Sequence, residues 1–212
     1  MEEHQRRSRD AEIYQKALDL FAQKGYDATP MSLIAKVLGM SKANLYHYCS
    51  SKEDLLYQIH MDDLQKRFIP ILDEAEKIDD PKERLVFFLY NLTLMHTANR
   101  ASRVLVEELR SLTKEHQMRI EEIWRRGYEL LRTSIKELQM SGEARKGRES
   151  FMAFLCSGMV FWIMYWFDYS RKSTEKELAE TIVQIFLNGL LYPVAGTSTA
   201  PLCEQSESSA EK

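Results

Sequence analysis

Between residues 29 and 60 the apolar positions fall into short helical periods separated by turn residues. Leu33, Ile34, Val37 and Leu38 recur at the spacing of one buried helix face. Thr29 is placed to cap that helix, with Pro30 at its first position, where a missing N–H costs nothing. Gly39 ends it, supplying the positive φ of a sharp turn. Ser41 caps a second helix, in which Leu45 and Cys49 face inward while Lys42, Ala43, Tyr46 and His47 face out. Ser51 caps a third, and Asp54 completes an S-x-x-D capping box. Two helices joined by a tight glycine turn, the second polar and basic outside, predict a helix-turn-helix.

Beyond residue 51 the periodicity is helical throughout. A long helix from Ser51 through Leu55, Leu56, Ile59, Met61, Leu64 and Phe68 is predicted to kink or end at Pro70. Asp79–Pro81 opens another, to about Ala98; a shorter helix covers Ser102 to Leu112, and a longer one runs from Lys114 to about Met140. Ser141–Gly142 and the polar stretch to Ser150 break the chain. Helices over about 147–170 and 174–192 follow, the last opened by a Thr174/Glu177 capping box and closed by Pro193. The Ser/Glu-rich remainder is expected to be disordered. This organisation predicts an all-α chain with domains at 1–52 and 53–193 and a tail at 194–212.

Residues 151–167 contain no charge, which admits a membrane span. The segment stands alone, ends abruptly at Asp168 and has Arg171 and Lys172 at one end only, so a helix buried on two sides is the preferred reading, with no membrane partner. One face carries Phe151, Phe154, Leu155, Gly158, Trp162, Tyr165, Trp166 and Tyr169; the other carries Met152, Cys156, Met159, Val160, Ile163 and Phe167. The final helix is similarly over-supplied with apolar residues. Together the last two helices suit a four-helix interface in a homodimer.

The 212 residues are ample for a packed core, and the net charge of −3 does not advertise a polyanion partner. Residues 1–60 hold eight basic and eight acidic side chains, so the whole net charge falls on the rest. If the helix-turn-helix binds nucleic acid, its affinity is expected from a few placed contacts and a local basic surface including Arg6, Arg7 and Arg9. Three dispersed cysteines, Cys49, Cys156 and Cys203, with no CxxC and no signal-peptide pattern, lead to the expectation of a reduced, cytoplasmic setting. The five histidines show no ligand spacing, so no metal and no cofactor are expected. There is no GxSxG, phosphate loop or HExxH, and the adjacent acidic pairs at 62–63, 107–108 and 121–122 point in different directions on helices; no enzyme is expected.

The chemistry of residues 41–52 raises a helix-turn-helix geometry to a DNA-binding reading. Lys42 can reach a guanine edge or a phosphate, and Asn44 can read adenine. Tyr46 and His47 share a face at a spacing suited to phosphate oxygens. Lys52 stands at a helix start, which itself favours phosphate.

The strings I-x-x-A-L-x-L-F-A-x-K-G-Y-D-A-T, L-I-A-K-V-L-G-M-S-K-A-N-L-Y-H-Y and S-K-E-D-L-L, within Arg7 to Ile59, resemble the DNA-binding domain of the TetR/AcrR family of bacterial repressors. The resemblance places Ile13, Ala17, Leu20 and Phe21 of a first helix in the core. It implies Lys42, Ala43 and Asn44 at base edges and Thr29, Ser41, Tyr46, His47 and Lys52 on phosphates of a double-stranded operator. Cys49 departs from the family's usual Phe, and Ala43 from a common Gly. The resemblance also implies a homodimer through the last two helices, matching the two-fold logic of DNA half-sites.

The remaining aromatics suggest a pocket. Phe68, Phe88, Met95, Trp124, Tyr128, Trp162, Tyr165 and Trp166 supply apolar surface, with His96, Asn91, Arg103 and Glu107 as polar candidates. The stretch Arg100 to Leu112, with the Trp/Tyr pattern after it, is similar to regulators of fatty-acid or steroid-ring degradation in the same family. That similarity implies a lipophilic effector of the acyl-CoA type, with Arg100, Arg103 or Arg110 as candidates for its phosphates. The reading is a ligand-responsive, dimeric repressor; a DNA-binding activator and a non-DNA-binding helical interaction protein are the alternatives.

Overall fold

The computed structural model describes residues 2–167 and 174–191, with side chains from residue 8 onward except that of Arg100. Among the described residues the chain forms ten α-helices and no strands, the one β-type contact being an isolated bridge between Ala144 and Leu191. Helix α1 (Glu2–Lys24), α2 (Met31–Val37), α3 (Lys42–Leu45) and the start of α4 (Lys52–Asp63) enclose a small core of Ile13, Ala17, Phe21, Ile34, Leu45 and Leu55, all essentially inaccessible to water. Gly39 takes φ +65° between α2 and α3, and Met40 N–H donates back to Ala35 O, which closes the turn.

Several expectations change here. Met31 opens α2 with Pro30 at the cap, and Thr29 makes no capping bond because its hydroxyl donates to Gly25 O at 2.8 Å. Val37 is exposed, so the buried face of α2 is narrower than its apolar count suggests. Ser51 does accept from Asp54 N–H, but the Asp54 carboxylate reaches one residue further back, to Ser50 N–H.

Pro70 does not end the helix that begins at Lys52. A π-helical turn over Leu64–Phe68 is inserted instead, and α5 (Ile69–Ala75) continues from it. Proline cannot donate to the carbonyl four residues back and its ring crowds that carbonyl; widening the preceding turn is one relief. The bond from Ile69 N–H to Leu64 O spans five residues.

Asp80 caps α6 (Pro81–Ala98) and Thr113 caps α8 (Lys114–Met140), each accepting from the N–H three residues on. The predicted helix over 102–112 is instead α7 (Arg103–Glu107) between two 3₁₀ turns. Helix α9 (Glu149–Trp166) is long and apolar enough to cross a membrane by length and composition. It packs Ala153, Cys156, Val160, Ile163 and Met164 inward, against α6, α8 and α10 (Glu175–Leu190). Its other face is open in the single chain, with Phe151, Phe154, Leu155, Trp162 and Trp166 exposed. The single chain thus covers one of the two faces expected to be buried. Thr174 makes no side-chain cap on α10. Tyr169 and the tail at 194–212 lie outside the described residues.

A candidate nucleic-acid interface coupled to an apolar cavity

Ser41, Lys42, Ala43, Asn44, Tyr46 and His47 are all exposed around α3, on the side opposite the buried Leu45 and Cys49. Asn44 N–H donates to Ser41 Oγ, which leaves the Asn44 amide group itself outside the cap. The Lys42 ammonium lies 5.7 Å from the Tyr46 ring centroid. Two residues expected on phosphates are turned inward. Thr29 is fully buried with its hydroxyl bonded inside the protein. Lys52 donates to Tyr26 O, and its ammonium sits 4.0 Å from the centroid of the Tyr26 ring. Lys52 therefore ties the start of α4 to the end of α1 instead of facing outward. Arg9 is paired with Glu12, while Arg6 and Arg7 fall outside the described side chains.

The three-helix unit is joined to the rest at the first turn of α4. One Glu53 oxygen accepts from Thr113 N–H and meets His116 Nδ1, both at 2.8 Å, so a residue beside the reading unit supplies an acidic cap to α8. Tyr57 stacks flat on His116, 3.7 Å between centroids.

Further along the same helix lies a cavity of about 440 Å³ bounded by α4, the π turn, α6, α7, α8 and α9. Phe68, Phe88, Met95, His96, Trp124 and Tyr128 line it, as the aromatic pattern led one to expect. Arg103, Trp162, Tyr165 and Trp166 do not. Arg103 pairs with Glu107 and lies 4.7 Å over the Tyr165 ring, and Trp162 and Trp166 point away on the open face of α9. Asn91 donates to Phe87 O, and Arg110 is exposed outside the cavity.

Sequence reasoning missed the polar end. His60, Asp63, Arg67 and Ser102 line the cavity together with Phe161. Arg67 donates from Nη1 to Asp63 Oδ1 at 2.9 Å and to Ser102 Oγ at 2.7 Å, and from Nη2 to Met95 O near the C-terminus of α6. In the sequence Asp63 and Arg67 read as an ordinary i,i+4 surface pair; the π turn at Leu64–Phe68 carries Arg67 into the wall. Burial pushes His60 down to about 4, and burial with the Arg67 charge does the same to His96, so both imidazoles are neutral near pH 7. Gly127 of α8 lets Phe68 and Phe88 approach, because a Cβ there would stand 2.8 Å from the Phe68 ring. Burial raises the Cys49 thiol to about 11 and the Cys156 thiol further, which fits small buried hydrophobes rather than redox centres. Among the described residues no cluster of His, Cys, Asp or Glu could hold a metal.

Both halves of this geometry have counterparts among known proteins. Residues 13–59 match the family model of bacterial regulatory proteins of the tetR family, and residues 78–190 match that of the tetracyclin repressor-like C-terminal domain. The fatty acid metabolism regulator protein of Bacillus subtilis (strain 168) is 22% identical over 193 residues, 88% of this chain and 97% of that protein. The crystal structure of the TetR family regulator PfmR from Thermus thermophilus superposes with a TM-score of 0.77 at 29% identity, over 84% of this chain and 97% of that one. AibR in complex with isovaleryl coenzyme A and operator DNA gives a TM-score of 0.75 at 27% identity, over 84% and 97%.

Proposed function

Because the chain belongs to the tetR family of bacterial regulatory proteins, we propose that it is a repressor, dimeric on a palindromic operator, that a lipophilic effector of the acyl-CoA class releases. It is a DNA-binding transcriptional regulator and not an enzyme. The finer reading rests on one observation: the helix that starts beside the reading unit at Lys52 becomes a wall of the cavity at His60–Phe68. A ligand that fills the cavity must press on that wall. Glu53, bonded to the start of α8, gives the other end of α4 a fixed point about which to tilt.

The exposed set from Ser41 to His47 is assigned to DNA, with Lys42, Ala43 and Asn44 toward bases and Ser41, Tyr46 and His47 toward phosphates. A second copy of the chain, paired through α9 and α10, would carry the other reading head one helical turn of DNA away. Tilting α4 changes that separation, and the effector's preference for the mismatched spacing is what lowers operator affinity. The size of the cavity supports an effector with a modest apolar body. At about 440 Å³ it falls within the range of small-ligand pockets.

The test is a mobility shift with DNA flanking the coding region, repeated with acyl-CoA thioesters of graded chain length. A specific shift released by one thioester supports both halves of the reading. A shift that no thioester releases removes the effector class and leaves the regulator.

A further inference from the structure

Resting on the reading of this cavity as the effector site, we propose that Asp63 sets the charge of the group the effector brings into it. With Arg67 already neutralised by Asp63, the polar end receives an uncharged carbonyl and turns away a free carboxylate. Three of the five guanidinium donors are engaged: Nη1 serves Asp63 and Ser102, and Nη2 serves Met95 O. Asp63 Oδ1 in turn accepts from Ser102 Oγ at 3.3 Å, so the ion pair is held from two sides. Both side chains are about four-fifths buried, which makes the pair strong enough to resist exchange for a ligand.

The other titratable groups on this wall add no charge, since His60 and His96 are neutral. Arg125 also borders the cavity, but it is exposed and its charge is screened by water. A carboxylate entering here would be desolvated beside Asp63, where the buried cation, Arg67, is already paired. A carbonyl needs only a donor. His60 Nδ1 is buried, makes no hydrogen bond with any described residue, and can supply one in the matching tautomer. Thioesters, esters and ketones meet this requirement; fatty acids do not.

The experiment is isothermal titration of the full chain near neutral pH with octanoate, methyl octanoate and S-octanoyl-N-acetylcysteamine, a thioester without the nucleotide. The two neutral ligands should bind at least about ten-fold tighter than octanoate, the scale expected for a buried unpaired charge. In Asp63→Asn, with Arg67 released, that ratio should fall about ten-fold or invert. His60→Phe should weaken the thioester by a larger factor than octanoate. Octanoate binding as tightly as the thioester in the unmodified protein overturns the inference and leaves the effector site standing; this arm needs no variant. An unchanged ratio in a folded Asp63→Asn overturns it as well. Binding by none of the three overturns the inference together with the effector reading beneath it.

Discussion

Lys42 stands exposed on the outer side of α3, whereas Lys52, ten residues on, lies over the Tyr26 ring and donates to Tyr26 O. Removing them should have different consequences. Lys42→Ala should lower affinity for the operator more than for random DNA, and equal losses in a mobility shift would remove it from base reading. Lys52→Ala should first lower the thermal stability of the protein, by about 1–2 kcal/mol, because it deletes a hydrogen bond and a cation–π contact. The buried histidines give a pH dependence. His60 and His96 titrate near 4 in the folded chain against 6.5 when unfolded, so the unfolded state binds more protons between those values. Stability is fully present above pH 6.5 and falls as pH drops toward 4, by roughly 2–3 kcal/mol per histidine. Urea melts at several pH values should show this slope, and His60→Phe should remove about half of it. The exposed polar side of α3 was legible in the sequence because outward polar residues alternate with Leu45 and Cys49 at helical spacing. The inward turn of Lys52 was not, since nothing local in the sequence tells a lysine which neighbour it will choose.

Helix α6 behind Asp80 and helix α8 behind Thr113 follow their patterns closely, because the cap and the buried stripe demand the same start. The π turn was illegible: Pro70 reads as a stop, and only packing against α6 and α8 makes it cheaper to widen a turn than to end the helix. The same packing hides the polar end of the cavity, because Asp63 and Arg67 keep their i,i+4 spacing while the wall they belong to comes from elsewhere in the chain. Pro70→Ala removes the reason for the wide turn. It should let Leu64–Phe68 relax toward an α-helix, withdraw Arg67 from Met95 O and weaken effector binding, which the same titrations would read. At Gly127 of α8 an added Cβ would stand 2.8 Å from the Phe68 ring of the π turn. Gly127→Ala gains about 1 kcal/mol of helix propensity but forces the Phe68 ring aside, at a typical overpacking cost of about 1–3 kcal/mol. The expected net is a small loss of stability with a larger loss of effector affinity, and a variant that binds effector normally would place the ligand away from Phe68.

At the scale of the molecule, the dominant feature is the open apolar face of α9, where Phe154 and Trp166 are each 72% exposed. Exposed apolar surface of this extent calls for a partner. A second copy applied across α9 and α10 is the cover our reading requires, and Trp166→Glu should shift the protein from dimer to monomer in sedimentation. The sequence showed that α9 was too apolar for one buried face, but the count of its apolar residues could not say which face the chain itself would cover. Phe154 belongs to both surfaces, since it lines the cavity and stands on the open face. If a second subunit completes the rim of each cavity, occupancy and assembly obey one mass-action law. Dilution should then loosen the grip on the effector, and saturating effector should slow the exchange of subunits between dimers. The concentration of the regulator itself becomes a variable in what it senses: a cell holding few copies would respond at a different metabolite level from one holding many.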